Sequence, residues 1–335
     1  MGGGGAKPAT TMMGVTPLAD LTCRPPLNWV GGKGAIQDIV RLVFPPWANR
    51  YAEHFCGGAG ILFGTQPRPG VAEILNDYDA DLVNFYLCTR DRPLALMDEL
   101  KRLPVQSEAE FLELKRYLSG DEAMPDFSQD ELRVAHERFT PEQYQELAPI
   151  IRGRAELWDV KRAAAFYKIN RFCFNGTMSS FAARPVRLRN FVPSILAASQ
   201  RLEGVVITNR DFEASFRLND KAGTLHYFDP PYFLTEGMYQ PQFSREDHRR
   251  LHDLTICPRG FIVISYGDSP FIRELYRNCY ILAFERANPM SLKPGAKFAE
   301  LLITTFDPRP IIEANGQLSM FGGLPDGLTL INIPH

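Results

Sequence analysis

Leu225-His226-Tyr227-Phe228-Asp229-Pro230-Pro231-Tyr232 is an apolar strand run that breaks into a carboxylate, two prolines and an aromatic ring. Consecutive prolines hold φ near about −65° and donate no N–H, so the strand ends there with its last carbonyls open to accept from a ligand. An amino group placed between Asp229 and a proline carbonyl would be drawn out of resonance with its base, and Tyr232 would stack on that base. A plain strand-terminating turn uses the same four residues, so the neighbouring segments decide.

Upstream, the run from Tyr51 through Glu53, Phe55 and Gly57 to Gly60 predicts a short strand entering a glycine turn, with a helix beginning at Ile61. Glycines there let a ligand approach the backbone, and the helix start offers free N–H groups. About 20 residues further on, Glu73-Ile74-Leu75-Asn76-Asp77-Tyr78-Asp79 predicts a second strand ending in acid, where a Rossmann-type fold keeps the carboxylate for ribose hydroxyls. The glycines do not spell G-x-G-x-x-G, and Gly31-Gly32-Lys33 lacks the rest of a Walker loop. A dinucleotide or ATP site is therefore disfavoured, and a nucleoside cofactor fits better.

Asn28 to Gly34, Glu53 to Gly60, Ile74 to Asp81, Phe172 to Gly176, Asn209 to Phe212 and the Asp229 to Tyr232 turn follow one another in a fixed order. In that order they resemble the motifs of the Dam-like, D12-class adenine-N6 DNA methyltransferases, over residues 27–308. The resemblance implies an α/β, Rossmann-like S-adenosylmethionine-dependent methyltransferase fold: a mostly parallel seven-stranded sheet with an inserted helical recognition lobe. It implies methylation of the N6 amine of adenine within a specific sequence of double-stranded DNA, after the base is flipped out against Tyr232.

The resemblance also assigns roles. Asp229, Pro230, Pro231 and Tyr232 match the catalytic turn, with Asp229 bordering the cofactor as well. Trp29 and Lys33 match an aromatic and an ammonium set against S-adenosylmethionine. Glu53, Phe55, Gly57 and Gly60 match the loop under its methionine part, Asp77 the ribose acid, and Asp211 with Phe212 the pair holding its adenine. Asp79 and Asp81 read instead as a solvated helix start. Relatives that read GATC follow their N-G motif with a loop rich in Tyr, Asn and Arg, whereas Thr177 to Arg187 here reads TMSSFAARPVR. GATC therefore does not carry over. Methylation of a cytosine N4, an RNA base or a protein glutamine would use the same chemistry. A nicotinamide oxidoreductase and a catalytically silent DNA-binding module are the readings from other classes.

A chain of 335 residues, 45% hydrophobic and 23% charged, suits one large α/β domain with an inserted lobe. No run reaches the length of a membrane span and no signal peptide is evident, so a cytoplasmic location is expected. The 6 cysteines form no C-x-x-C pair, which reads as reduced thiols and no metal. Cys56 reads as a packing residue, and His248 with His252 as residues of a helix surface.

The net charge of −2 argues against a uniformly basic nucleic-acid binder. From Lys161 to Leu202, however, Lys161, Arg162, Lys168, Arg171, Arg184, Arg187, Arg189 and Arg201 occur without a single acid. Lys168, Arg171, Asn175, Arg184, Arg187 and Arg189 are the candidates for DNA contact, through phosphate or by bidentate donation to guanine.

The domain reading is a disordered leader over 1–20, a catalytic domain over 21–92 and 200–310, a helical and loop target-recognition lobe over 93–199, and a tail over 311–335. Helices in the lobe are expected to break at Pro104, Gly120, Pro125 and Pro141. In the tail, Gln317-Leu318-Ser319-Met320-Phe321 resembles the Q-L-[SD]-L-F peptide by which bacterial replication and repair proteins dock on the sliding clamp. Flanking glycines would let Gln317, Leu318, Met320 and Phe321 extend into a groove.

Overall fold

The computed structural model describes residues 21–29, 36–102, 107–119, 128–155, 159–173, 178, 180–182, 191–232, 243–287, 297–315, 324–325 and 327–334. Its strands are β1 (Arg50–Glu53), β2 (Ala72–Asp77), β3 (Val206–Asn209), β4 (Thr224–Phe228), β5 (Phe261–Gly267), β6 (Tyr280–Ala287), β7 (Lys297–Thr304) and β8 (Thr329–Asn332). They form one sheet in the order β3-β2-β1-β4-β5-β7-β6-β8. β3, β2, β1, β4 and β5 are parallel, and the pairings of β7 with β5 and of β6 with β7 and β8 are antiparallel.

Period-two alternation divides the central strands between two cores. Tyr227, Val263 and Leu302 enter one cluster, and their neighbours Phe228, Ile264, Leu301 and Ile303 enter the other. β4 is buried at every position, as a parallel strand covered on both faces must be.

The helices are α1 (Gln37–Leu42), α2 (Gly60–Phe63), α3 (Ala80–Asp91), α4 (Pro93–Arg102), α5 (Glu108–Ser119), α6 (Ser128–Arg138), α7 (Pro141–Ala155), α8 (Val160–Phe172), α9 (Phe191–Leu202), α10 (Phe212–Asn219), α11 (Arg245–Asp253), α12 (Pro270–Leu275) and α13 (Arg309–Ala314). Within the lobe, α8 is buried along almost its whole length and packs against α3, α4 and α5. The helical run breaks before Pro141, between α6 and α7, and Pro141 then begins α7, since the first helical residue needs no N–H partner. Thr140 and Gln143 exchange backbone-to-side-chain hydrogen bonds at that start.

Three expectations change. The sheet has eight strands rather than seven, since residues 329–332 return from the tail and pair with β6. His248 is buried rather than on a helix surface, with Nδ1 2.8 Å from the Tyr266 hydroxyl. Arg201 is fully buried on α9, where it makes a bidentate pair with Glu73 at 2.7 Å on both arms. The acid-free stretch is thus not all surface.

Beneath the sheet's carboxyl edge lies a buried imidazole pair. His54 Nε2 is 2.9 Å from His226 Nδ1, His54 Nδ1 is 2.9 Å from Ser215 Oγ, and Asp220 Oδ1 stands 3.4 Å from His226 Nε2. Burial lowers both histidines, His226 to about 4 despite the opposing pull of Asp220. A histidine depressed in the folded state stabilises it fully above the unfolded pKa of about 6.5 and loses that stability as pH falls. Relative to a His226→Asn variant, the unmodified protein should lose about 1.4 kcal/mol per pH unit between pH 6.5 and about 4, read by urea unfolding. Parallel pH profiles for the two proteins would contradict this.

Candidate active site

The strand order reverses between β1 and β4, and a crevice opens at the carboxyl ends of such strands. Four loops meet at that edge: 54–60 after β1, 78–79 after β2, 210–211 after β3 and the Asp229 turn after β4.

The Asp229 turn is braced from β5. Asp229 Oδ1 accepts from Ser265 Oγ at 2.9 Å, and Ser265 Oγ lies 2.9 Å from the hydroxyl of the buried Tyr227. Pro230 is buried and Pro231 half-buried. The Tyr232 hydroxyl donates to Glu300 Oε2 at 2.6 Å. Glu53 is 2% exposed and takes a hydrogen bond from Tyr51 at 2.9 Å. Burial pushes its carboxyl up to about 8, and the charge of Asp229 adds to the rise against the lowering effect of the Tyr51 bond. Burial therefore favours the neutral form of Glu53 beside Asp229.

The glycine loop is tied to β2 by Asp77. Its Oδ2 accepts from Gly57 N at 2.9 Å and its Oδ1 from Asp79 N at 3.1 Å, while burial raises its pKa. Gly57 has φ +46, and a Cβ there would stand 2.5 Å from Trp29 Nε1. Trp29 thus packs directly on the loop, where only glycine leaves room. Asn28, next to it, is held by Asn170, which accepts from its N–H at 2.9 Å and donates to its carbonyl at 2.6 Å. Gly60 opens α2 behind Ala59, a non-glycine residue at φ +50. Asp79 caps α3 by accepting from Asp81 N and Leu82 N, as a helix start does, and burial raises its pKa to about 6. Cys56 is buried in the core, a packing position.

Asp211 caps α10 through Glu213 N at 3.0 Å and also accepts from Arg250 Nη2 at 2.9 Å. Phe212 is 5% exposed. Its ring stacks with Phe55 at 5.3 Å, and the Arg250 guanidinium stands 4.8 Å from its centroid.

Asp229, Pro230, Pro231, Tyr232, Trp29, Glu53, Phe55, Gly57, Gly60, Asp77, Asp211 and Phe212 therefore belong to this edge or the loops that build it. Lys33, Asn175, Arg184, Arg187 and Arg189 lie outside the described residues, as do Gln317, Leu318, Met320 and Phe321. Lys168 is a correction: it is 6% exposed on α8, with Nζ 3.4 Å from the Glu99 carbonyl, so it serves the lobe's packing rather than a phosphate surface. Arg171 is half-buried and donates to Asn28 Oδ1 at 3.1 Å.

Sequence reasoning missed Asn76, Ser265, Glu300 and Arg250. Asn76 is 1% exposed and stitches three strand ends, donating to the carbonyls of His54 and Arg210 and accepting from Thr208. A polar residue closing an apolar strand was its one available signal. Among the described residues, no group of His, Cys, Asp or Glu is placed to hold a metal, and no helix is long and apolar enough to cross a membrane.

Residues 29–290 match the family model of the D12 class N6 adenine-specific DNA methyltransferases. A type II methyltransferase of Lactococcus lactis subsp. cremoris is 26% identical over 313 residues, which cover 85% of this chain and 96% of the relative. The DNA adenine methylase of Haemophilus influenzae is 22% identical over 305 residues, 85% of this chain and 94% of the relative. The DNA N-6-adenine-methyltransferase of Escherichia phage P1 is 28% identical over 289 residues, 79% of this chain but 32% of that longer protein.

Replacing Gly57 by Ala combines a left-handed backbone with a clash against Trp29, and should cost at least about 1–2 kcal/mol. Urea unfolding should show the loss, and the tryptophan emission should shift as Trp29 moves. Unchanged stability and emission would mean that the loop does not hold Trp29 in this way.

Proposed function

Because the chain belongs to the D12 class of N6 adenine-specific DNA methyltransferases, we propose that its Asp229 turn holds an adenine flipped out of double-stranded DNA while the loops beside it hold S-adenosylmethionine. The carrying observation is Asp229, fixed by Ser265 at the strand-order switch between β1 and β4.

The edge suits such a cofactor. Trp29 packs on Gly57 and Gly58, Asp77 anchors the same loop, and the Phe55–Phe212 stack adds apolar surface. In this reading Asp77 takes the ribose hydroxyls, Asp211 with Phe212 the adenine ring, Glu53, Phe55, Gly57 and Gly60 the methionine side, and Trp29 with Lys33 its amino-acid end. S-adenosylmethionine supplies the electrophilic methyl group when bound.

Asp229 and the Pro230 carbonyl then accept the two amine hydrogens and turn the nitrogen lone pair out of the ring's π system. Tyr232 stacks on the base. A half-buried carboxylate held by Ser265 stabilises the positive charge that gathers on nitrogen, with little reorganisation at the moment of transfer. Arg184, Arg187 and Arg189 supply DNA contact, through phosphate or guanine edges. A cytoplasmic site of action goes with this reading. Family membership disfavours the oxidoreductase and the silent binder.

The tail peptide Gln317-Leu318-Ser319-Met320-Phe321 stands in sequence between α13 and β8. Its likeness to clamp-docking peptides supports attachment to a bacterial sliding clamp, which would bring the enzyme to newly made, unmethylated DNA.

Transfer of labelled methyl from S-adenosylmethionine to duplex DNA should fall at least about a hundredfold in Asp229→Ala. Its melting temperature should stay within a few degrees, because the change removes an acceptor and not core volume. Near-normal transfer would remove Asp229 from the mechanism. In a pull-down with the host clamp, the unmodified chain should bind and a Leu318→Ala, Phe321→Ala variant should not; no binding by the former, or equal binding by both, refutes the docking.

A further inference from the structure

We infer that Glu300 is a positioning residue for methyl transfer: paired with Arg286, it locks the Tyr232 ring in the orientation on which the target base stacks. The inference rests on the methyltransferase reading above and concerns a residue that this reading does not use.

Glu300 lies on β7 opposite Gly267 of β5 and Phe284 of β6, and is 1% exposed. A carboxylate this deep survives only with good partners. Its Oε1 accepts from Arg286 Nε at 2.5 Å and its Oε2 from the Tyr232 hydroxyl at 2.6 Å. The second is a short bond to a charged acceptor, among the stronger kinds. Arg286 is itself restrained, its guanidinium 4.7 Å from the centroid of the Phe298 ring.

The ring of Tyr232 is confined at its other side too. A Cβ on Gly267 would stand 2.9 Å from Tyr232 Cδ2, so the ring packs where any larger residue would intrude. Pro230 and Pro231 stiffen the backbone that leads to it. Backbone, ring edge and hydroxyl are therefore each held by a different element, and Glu300 holds the hydroxyl. Stacking area alone would be served equally by phenylalanine. The hydroxyl adds fixed orientation, which alignment-dependent chemistry needs.

Tyr232→Phe, Glu300→Gln and the double variant separate this role from general support of the fold. Unmodified protein must first bind S-adenosylmethionine and methylate duplex DNA; failure there overturns the reading of the site, and this inference with it. Given that activity, each single variant should lower kcat about tenfold or more, the cost of one charge-assisted hydrogen bond. S-adenosylmethionine affinity by calorimetry should not change. In a duplex carrying 2-aminopurine at the target position, the ring-stacked, short-lifetime fraction should shrink in each variant. Tyr232→Phe removes, and Glu300→Gln weakens, the same hydroxyl contact, so the double variant should be no slower than the slower single. Tyr232→Phe leaves the Glu300–Arg286 pair intact, so it decides the matter even if Glu300→Gln does not fold. Wild-type kcat and stacking in Tyr232→Phe, or multiplying effects in the double variant, would overturn the inference.

Discussion

Parallel pairing of β1 with β4 sets Glu53 beside Tyr227 and ends both strands at the same edge. From β1 the chain proceeds outward to β2 and β3, and from β4 to β5. The loops after these two central strands therefore part, and the space between them is the natural ligand crevice of such a sheet. Slipping the register by one residue would turn the buried faces of the strands over and point Glu53 and Asp229 elsewhere. Contacts across the pair oppose that slip: the His54–His226 bond lies inside the sheet's edge, and the N–H of His54 donates to the Tyr227 carbonyl.

Among the described residues, polar groups at this edge are held mostly by other polar groups of the chain. Asn76 joins β1, β2 and the residue after β3, Asp77 joins β2 to the glycine loop, and Ser265 joins β5 to Asp229. Burial shifts the Glu53 carboxyl toward its neutral form. The nearby charge of Asp229 adds to that shift.

Local features of the sequence were the readable part. The Asp229-Pro230-Pro231-Tyr232 turn, the glycines after β1 and the acid after β2 follow from turn chemistry and short-range pattern, and the sheet places all three at one edge. The family resemblance drawn from their order agrees with the match over residues 29–290. Features that depend on distant partners were not legible. Ser265 and Glu300 look like ordinary strand residues until β5 and β7 pair beside the Asp229 turn. Lys168 and Arg201 count as positive charge in the sequence, yet a carbonyl and a buried carboxylate claim them inside the fold. β8 escaped notice because four residues after a glycine-containing stretch carry too little pattern to reveal an edge strand.

Sequencing of modified bases in DNA from cells that express this chain tests the central claim most directly. The account predicts N6-methyladenine at one short recurring sequence, absent from the same cells without the chain. Genomic DNA with no new modified base, or with the new methyl group on cytosine N4, would contradict it.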